Sequence, residues 1–390
     1  MKRKATTLTK RIRVYKFREK QLKSRVQKAK KLQNNYEFQK KLQRMSKEAA
    51  TFIQRQMRES AKVYRASSNS YHNLLYMEEA ALLRRDNGEP FIQLGENILR
   101  LEEDEIDGHY VKKAEIELRE TPDIVEKAIE EIKELIKAEE GLYVPLDDKA
   151  FLLKYLRPHK FYATSAFRVM RKFYKFKLKY PKYSSSLLPC TVEKAYLDEM
   201  IYFFPRRTAT GSRVMLVNVG SKWNPKEVSL TILIKALLVA LEIAMAEPRT
   251  QVGGVHILLD LNGLSLSHIT QFTPSLAKMI LWIVQDCVAI RLKGVYVINQ
   301  LPIFKLVYRI FKPFLAEKLK NRLHFIGTDW NTLKMHIDED CLPARLGGTL
   351  NSPDYPGHYL YQVIEHYTYR YEELAGFGFE TEKAVTEQIS

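Results

Sequence analysis

The chain of 390 residues contains few cysteines, and none of them form a CxxC pair: Cys190, Cys287 and Cys341 lie far apart. This spacing argues against a disulfide framework or a structural zinc site and favours a reducing compartment. The longest apolar run, Leu230–Ala246, is interrupted by two charged residues and is too short to span a bilayer comfortably. The first residues lack the apolar segment of a signal peptide. We therefore expect a cytoplasmic protein.

The sequence also lacks the common catalytic and nucleotide-binding motifs. No Walker A, GxGxxG, GxSxG, HExxH or EF-hand pattern occurs. His256 and His268 flank a strand that carries Asp260, but no nucleophile is placed beside them. Ser265 and Ser267 fit better as capping or turn residues. We therefore expect no enzyme, no catalytic residue, no cofactor and no metal site.

Acidic residues are scarce at the start of the chain. The formal net charge is +17, but residues 1–65 alone hold 22 basic and 4 acidic side chains, so the remainder is nearly neutral. The overall basicity therefore does not indicate a nucleic-acid-binding fold. RNA binding by the arm stays a weaker alternative, because the arm offers few aromatic side chains for base stacking. The arm could also lie on residues 96–140, which hold 16 acidic and 7 basic side chains.

Composition and periodicity predict four regions. Residues 1–70 are a basic helical or disordered arm, and residues 71–195 are an all-helical N-terminal module with helices after Thr121 and Asp148 and from Ala163. In residues 196–350, short apolar runs alternate with long helical patterns, which predicts an α/β fold with a mixed, mostly parallel sheet. Residues 351–390 form a tyrosine-rich tail with a short helix that packs on the body.

The positive signal is an excess of apolar helix surface. Leu230–Ala246, residues 279–290 and residues 302–315 are apolar on nearly all sides, which favours an internal cavity about as strongly as an ordinary large core. Residues 302–321 read as one helix. Residues 291–322 carry a net charge of +7, with Lys318 and Arg322 four apart and hence on one helical face. This basic surface suits an anionic membrane, although a simple solvated face is the alternative.

Several segments together resemble the CRAL-TRIO lipid-binding family. The helical part matches at DKAFLLKYLRPHKF, and the main domain matches at GVHILLDLNGLSLSH, RLKGVYVINQLPIF, FKPFLAEKLKNRLHFIGTD and LPARLGG, in the family's order. The chain is similar in type to the tocopherol-transfer and clavesin branches. The resemblance implies helices that enclose an apolar cavity on a mixed sheet, with a mobile helical gate.

The resemblance also implies the site residues. The ligand pocket would be lined by Ile234, Leu237, Leu241, Ile257, Leu259, Ile280, Ile283, Val288, Ile290 and Val295. The gate would present Phe304, Val307, Tyr308, Phe311 and Phe314. Phosphoinositide would be bound by Arg291, Lys318 and Arg322, whereas His159 stands where the family has a second arginine.

We therefore expect binding and transfer of a hydrophobic small molecule of tocopherol, retinoid or phospholipid type, with phosphoinositide-dependent docking on membranes. The alternative is a membrane-associated phosphoinositide-binding trafficking or interaction module that has no transfer role. In either case we expect a monomer that attaches peripherally to anionic or phosphoinositide membranes, endosomal ones included, and that has no nucleic-acid partner.

Overall fold

The computed structural model describes residues 83–86, 89–350 and 357–379. The predicted basic arm, residues 1–70, lies outside these described residues, as do the first and last residues of the predicted tail. The division between residues 195 and 196 stays a prediction.

The N-terminal part of the described chain is mostly helical, as predicted, but it is not all-helical. It begins with a three-stranded antiparallel sheet in the order β1-β2-β3. The elements are β1 (Leu83–Asp86), β2 (Glu89–Leu94), β3 (Asn97–Arg100), α1 (Gly108–Leu118), α2 (Pro122–Lys137), β4 (Leu142–Tyr143), α3 (Lys149–Leu156), α4 (Ala163–Lys179), α5 (Pro181–Ser184) and α6 (Pro189–Leu197). The strands alternate buried and exposed residues over only four to six positions, a signal too short to predict them.

The helices of this part begin and pack as the sequence predicts. The Asp148 carboxylate accepts a hydrogen bond from the Phe151 backbone N–H at 3.1 Å and so caps α3. Pro122 occupies the first position of α2, where its missing N–H costs nothing. The buried face of α2 consists of Ala128, Ile132 and Ile136, which lie at helical spacing.

The central sheet is mixed and mostly parallel, which confirms the predicted fold class. Its order is β5-β6-β7-β8-β9; β5 is antiparallel to β6, and the other neighbours are parallel. The elements are β5 (Ile201–Phe203), β6 (Arg213–Asn218), α7 (Leu230–Ala246), α8 (Pro248–Gly253), β7 (Val255–Asp260), α9 (Leu266–Ile269), α10 (Pro274–Trp282), β8 (Leu292–Ile298), α11 (Phe304–Phe311), α12 (Glu317–Lys320), β9 (Leu323–Gly327) and α13 (Trp330–Lys334). A π-helical turn, Ile283–Cys287, extends α10.

The single helix predicted over residues 302–321 is wrong. After α11 the chain forms a 3₁₀ turn, Lys312–Phe314, becomes extended at Leu315 and Ala316, and then enters α12. Pro313 has no backbone N–H to continue the helical ladder. The predicted shared face of Lys318 and Arg322 is wrong too, because Arg322 follows α12 and its carbonyl accepts a hydrogen bond from the Val295 N–H at 2.8 Å.

The tyrosine-rich tail packs on the body through two helices, α14 (Gly357–His366) and α15 (Thr368–Ala375), followed by β10 (Gly378–Phe379), which pairs with β4. Tyr359, Tyr361, Tyr367 and Tyr371 are buried. The Tyr371 hydroxyl donates to the Val239 carbonyl at 2.9 Å. The prediction that a helix from this region packs on the body is confirmed. The tail helices pack against α7 and support it.

Charged groups buried below α7 fix its C-terminal end. Glu247, the residue that ends α7, pairs with Arg213 and with Arg207, which also contacts Glu102 at 2.6 Å. Burial alone raises the pKa of Glu247, but the two guanidinium groups outweigh it and hold the pKa at about 2. The network is fully paired, as a buried charge requires.

Candidate functional site

The floor of the candidate site is one face of the central sheet. The strand register aligns Met215, Ile257, Val295 and Leu323 in one row across four strands. A second row holds Val217, Leu259 and Val297. Because alternate residues of a strand share a face, the two rows form a continuous apolar surface, and all seven side chains line a single cavity.

Helices close the cavity above this floor. One wall is α7, another is the end of α10 with its π-helical turn, and α11 forms the roof. The wall and roof residues are Leu230, Leu233, Ile234, Leu237, Leu238, Leu241, Ile280, Leu281, Ile283, Val284, Phe304, Val307, Tyr308 and Phe311. The cavity volume is about 300 Å³, at the lower end of the range for ligand sites.

The lining is almost entirely hydrocarbon. Among the lining side chains only Trp223 and Tyr308 carry a nitrogen or oxygen atom. The Trp223 indole N–H is already used, since it donates to the Val228 carbonyl at 2.8 Å. Tyr308 lies at the rim, with its ring centroid 5.2 Å from that of the half-exposed Phe325. A molecule inside this cavity would be held by burial of apolar surface and not by hydrogen bonds.

The roof helix α11 differs from the walls, because none of its eight residues is buried. On the inside, its Phe311 ring meets that of Phe272 at a centroid distance of 5.5 Å. On the outside, Leu306 is 42% exposed, and Leu301 and Phe325 nearby are 45% and 47% exposed. The helix therefore presents apolar side chains both to the cavity and to the solvent.

Both ends of the roof segment are tied to the body by side-chain amides. At the C-terminal end, Gln285 donates to the Phe314 carbonyl at 3.2 Å and accepts from the Ala316 N–H at 2.7 Å. At the N-terminal end, Gln300 accepts from the Gly327 N–H at 2.9 Å. Between these hydrogen bonds, the roof is held in place by contacts of its side chains.

The structure brings most of the predicted pocket residues together. Eight of the ten line the cavity, whereas Val288 and Ile290 do not. They follow Cys287, where the π-helical turn has ended and the chain runs toward β8. Four predicted gate residues line the cavity, while Phe314 packs beside it against Leu281, Leu315 and Leu319. The pocket residues predicted from the sequence did not include the floor residues of β6. The signal that could have found them is their alternation along the strand with core residues that point to the other face of the sheet.

Arg291, the first predicted phosphoinositide ligand, is engaged within the fold. Its guanidinium contacts the Glu117 carboxylate at 2.6 Å and also donates to the Val252 carbonyl. Burial by itself raises the pKa of Glu117, but hydrogen bonds from Arg291 and Lys113 lower it to about 2. Arg291 therefore contributes less free charge to the surface than the sequence suggests.

Lys318 and Arg322 have no ion pair with any described residue, and Lys293, which was not among the predicted phosphoinositide ligands, lies within electrostatic range of Arg322. The pKa of Lys293 is lowered by burial and by the nearby charge of Arg291, with Arg322 adding to the effect. The pKa of His159 is lowered by burial and by Lys318, and its ring donates to the Tyr155 carbonyl at 2.8 Å. Both effects disfavour the charged form of His159, so this residue offers a weaker cationic contact than the arginine usual in the family.

Two further features limit the chemistry of the described residues. No group of three or more His, Cys, Asp or Glu side chains within them is arranged to hold a metal ion. None of their helices has the length and apolar character needed to cross a bilayer.

Comparison with known proteins identifies the family. The model of the CRAL/TRIO domain matches residues 197–348. The human protein named alpha-tocopherol transfer protein-like is 33% identical over 245 residues, which cover 63% of this chain and 71% of that protein. Clavesin-1 of Mus musculus is 28% identical over 242 residues, or 62% of this chain and 68% of that protein.

A solved structure, the crystal structure of Sfh5, aligns over 70% of this chain and 99% of that one at 14% identity, with a TM-score of 0.38. The domain match covers the cavity, its floor and its roof, and the sequence relatives extend it into the helical part. The chain belongs to the CRAL/TRIO domain family of lipid-binding and lipid-transfer proteins.

Proposed function

We propose that this chain carries one hydrophobic molecule in the cavity and exchanges it at anionic membranes, without catalysing a reaction on it. The observation that carries this proposal is the hydrocarbon-lined cavity under a roof helix that has no buried residue. A solid core would bury such a helix, since apolar side chains pack until little space remains. The names of the relatives support a transfer role.

The chemistry of the cavity lining limits which hydrophobic molecules the cavity can hold. A charged or zwitterionic head group would find no cation among the residues lining the cavity and, apart from the Tyr308 hydroxyl, no available donor, and burying an unpaired ion is costly. The cargo we propose is therefore a neutral lipid of tocopherol or retinoid type. A phospholipid would have to leave its head group outside the cavity.

Docking on phosphoinositide membranes is the second part of the proposal. Lys318 lies on α12, directly after the roof helix and its 3₁₀ turn, and Arg322 lies within electrostatic range of Lys293. None of the three is neutralised by an ion pair within the described residues. Basic side chains near an anionic surface contribute about 1 kcal/mol each. The exposed apolar side of α11 would meet the same membrane and would let the gate open into it.

Native mass spectrometry of the protein purified from its source, combined with lipid extraction, tests the carrier function. We expect one neutral lipid per chain. A chain that never holds a lipid, even after incubation with vesicles that contain tocopherol or retinol, would instead favour an interaction module that binds phosphoinositide membranes and transfers nothing.

The double variant Lys318→Ala/Arg322→Ala tests the docking surface. We expect weaker binding to phosphoinositide vesicles by about tenfold or more, from two lost charges, with phosphatidylserine vesicles affected less. Lys226→Ala/Lys278→Ala is the control, since it removes two surface lysines from other segments. If the double variant binds phosphoinositide vesicles as well as the parent does, Lys318 and Arg322 are not part of the docking surface.

A further inference from the structure

The most exposed apolar side chain of the described residues lies on α1, away from the roof helix. Ile116 is 82% exposed. Lys112 and Lys113 lie four and three residues before it on the same helical face, and Arg119, which caps the C-terminal end of α1 in a left-handed conformation, follows three residues after it. An isoleucine with this exposure contributes nothing to the core, and it has basic side chains close to it.

A second exposed apolar group stands next to this helix face. Tyr162 precedes α4 and is 53% exposed, and the Arg119 guanidinium lies 4.3 Å from the centre of its ring. Lys160, two residues earlier, has a left-handed backbone conformation with a φ of +56°. The contact between Arg119 and Tyr162 joins the two segments into one surface, which we call the α1 patch: Lys112, Ile116, Arg119, Lys160 and Tyr162.

The bases of the α1 patch and the acids near them differ in whether they form ion pairs. Lys112, Arg119 and Lys160 form no ion pair with a described residue. Of the nearby acids, Glu117 is held by Arg291 at 2.6 Å and Glu120 by Arg157 at 2.5 Å. Glu115 is the exposed acid that remains beside Ile116.

The α1 patch lies beside the basic residues of the proposed docking surface. The ion pair between Glu117 and Arg291 links α1 to the segment that carries Lys293. Lys113 contacts the same Glu117 carboxylate at 3.1 Å. On the side of Tyr162, His159 lies within electrostatic range of Lys318. These contacts place basic residues of the proposed docking surface near both segments of the α1 patch.

We propose that the α1 patch is a second membrane anchor, in which Ile116 and Tyr162 insert into the outer part of an anionic bilayer while the surrounding bases contact lipid phosphates. It rests on the proposed docking of this protein on membranes, but it adds a contact outside the gate. Single apolar side chains within a ring of bases suit a fluid bilayer interface, where arginine and lysine stay hydrated and an aromatic ring sits at head-group level. A protein partner would need a larger continuous apolar patch.

Two full-length tryptophan variants test this location directly. Ile116→Trp places a fluorophore in the α1 patch, and Leu178→Trp places one at another exposed apolar position, about 22 Å along α4 from Ala163. Both are mixed with phosphatidylserine vesicles that contain brominated lipid, which quenches tryptophan only on contact. We expect loss of the added emission for Ile116→Trp and none for Leu178→Trp. Vesicle-bound Ile116→Trp protein whose added emission stays unquenched would overturn the proposal.

The double variant Ile116→Ser/Tyr162→Ser gives the energetic test. We expect vesicle binding to weaken about fivefold for each side chain, because each loses part of its apolar burial. Thermal stability should stay at the parental value, since both side chains are exposed. Unchanged vesicle binding would contradict the second anchor. If the parent itself binds no anionic vesicle, the docking proposal fails as a whole, a result distinct from failure of the α1 patch alone.

Discussion

Helices α7 and α11 have similar apolar sequences but opposite surroundings. Twelve of the 17 residues of α7 are buried, whereas none of the eight residues of α11 is buried. Both helices contribute side chains to the same cavity. They differ on the side that faces away from the cavity. On that side α7 is covered by the tail helices and by charged pairs, whereas α11 is exposed to solvent.

This difference indicates which part of the cavity is fixed and which part can move. A helix that is held on all sides can leave its place only when the fold is lost. A helix that rests on one layer of contacts, between two ties, can swing away at a small cost, because local stability follows the number of buried contacts. This contrast supports our proposal that the wall serves as scaffold and the roof as the gate.

The largest effect is expected from breaking the scaffold at Glu242, on the outer side of α7. Its carboxylate pairs with Lys154 at 3.0 Å, and both side chains are less than 10% exposed. Glu242→Leu leaves the lysine buried and unpaired, which should lower the free energy of unfolding by about 3–5 kcal/mol in urea titrations. The double variant Glu242→Leu/Lys154→Met should recover much of the loss. A single variant as stable as the parent would mean that α7 does not depend on this pair.

The next effect concerns pH and the end of α7. The folded-state pKa of Glu247 is lowered from 4.5 to about 2, so its stabilising contribution is complete above pH 4.5 and is lost as the pH falls toward 2. Unfolding titrations should show this loss between those values, by an amount of several kcal/mol. Glu247→Gln should be less stable at pH 7 and should lack much of this slope. An unchanged slope in this variant would place the acid sensitivity elsewhere.

The smallest effect on stability is expected at the gate. Phe304→Ser/Phe311→Ser should cost about 1–2 kcal/mol, since neither side chain is buried, yet it should slow lipid transfer between vesicles more than it weakens equilibrium binding. A fluorescent lipid exchanged between donor and acceptor vesicles measures the rate, and equilibrium loading measures the affinity. Equal losses in both would mean that the two rings only line the cavity. Tyr369→Ser, at an exposed site on α15, is the control.

The difference between α7 and α11 also shows which parts of the fold could be predicted from the sequence. Alternating strands and helices predicted the parallel sheet, and the apolar character of residues 302–315 on nearly all sides favoured an internal cavity about as strongly as an ordinary large core. The sequence could not distinguish α7 from α11, because burial depends on which distant segment covers each helix. Tyr371, which covers α7, lies more than 120 residues from it in sequence.

The site was predictable to a similar extent. Eight of the ten pocket positions that the family resemblance implied line the cavity, and their shared faces follow helix and strand periodicity. The helix predicted over residues 302–321 failed because a single proline and two extended residues separate α11 from α12. The pairing of Arg291 with Glu117, 174 residues away in sequence, could not be read from local charge.

Two substitutions in the same strand test whether one face of the sheet forms the floor of a lipid cavity. Leu259 lines the cavity, whereas Leu258, its neighbour in β7, is fully buried on the opposite face. Lipid content and thermal unfolding are measured for Leu259→Asp and Leu258→Asp. We expect Leu259→Asp to stay folded but to carry no lipid, because water can enter the cavity to solvate the carboxylate, and we expect Leu258→Asp to unfold. A folded Leu259→Asp protein that still holds one lipid per chain, or two variants that unfold alike, would contradict this expectation.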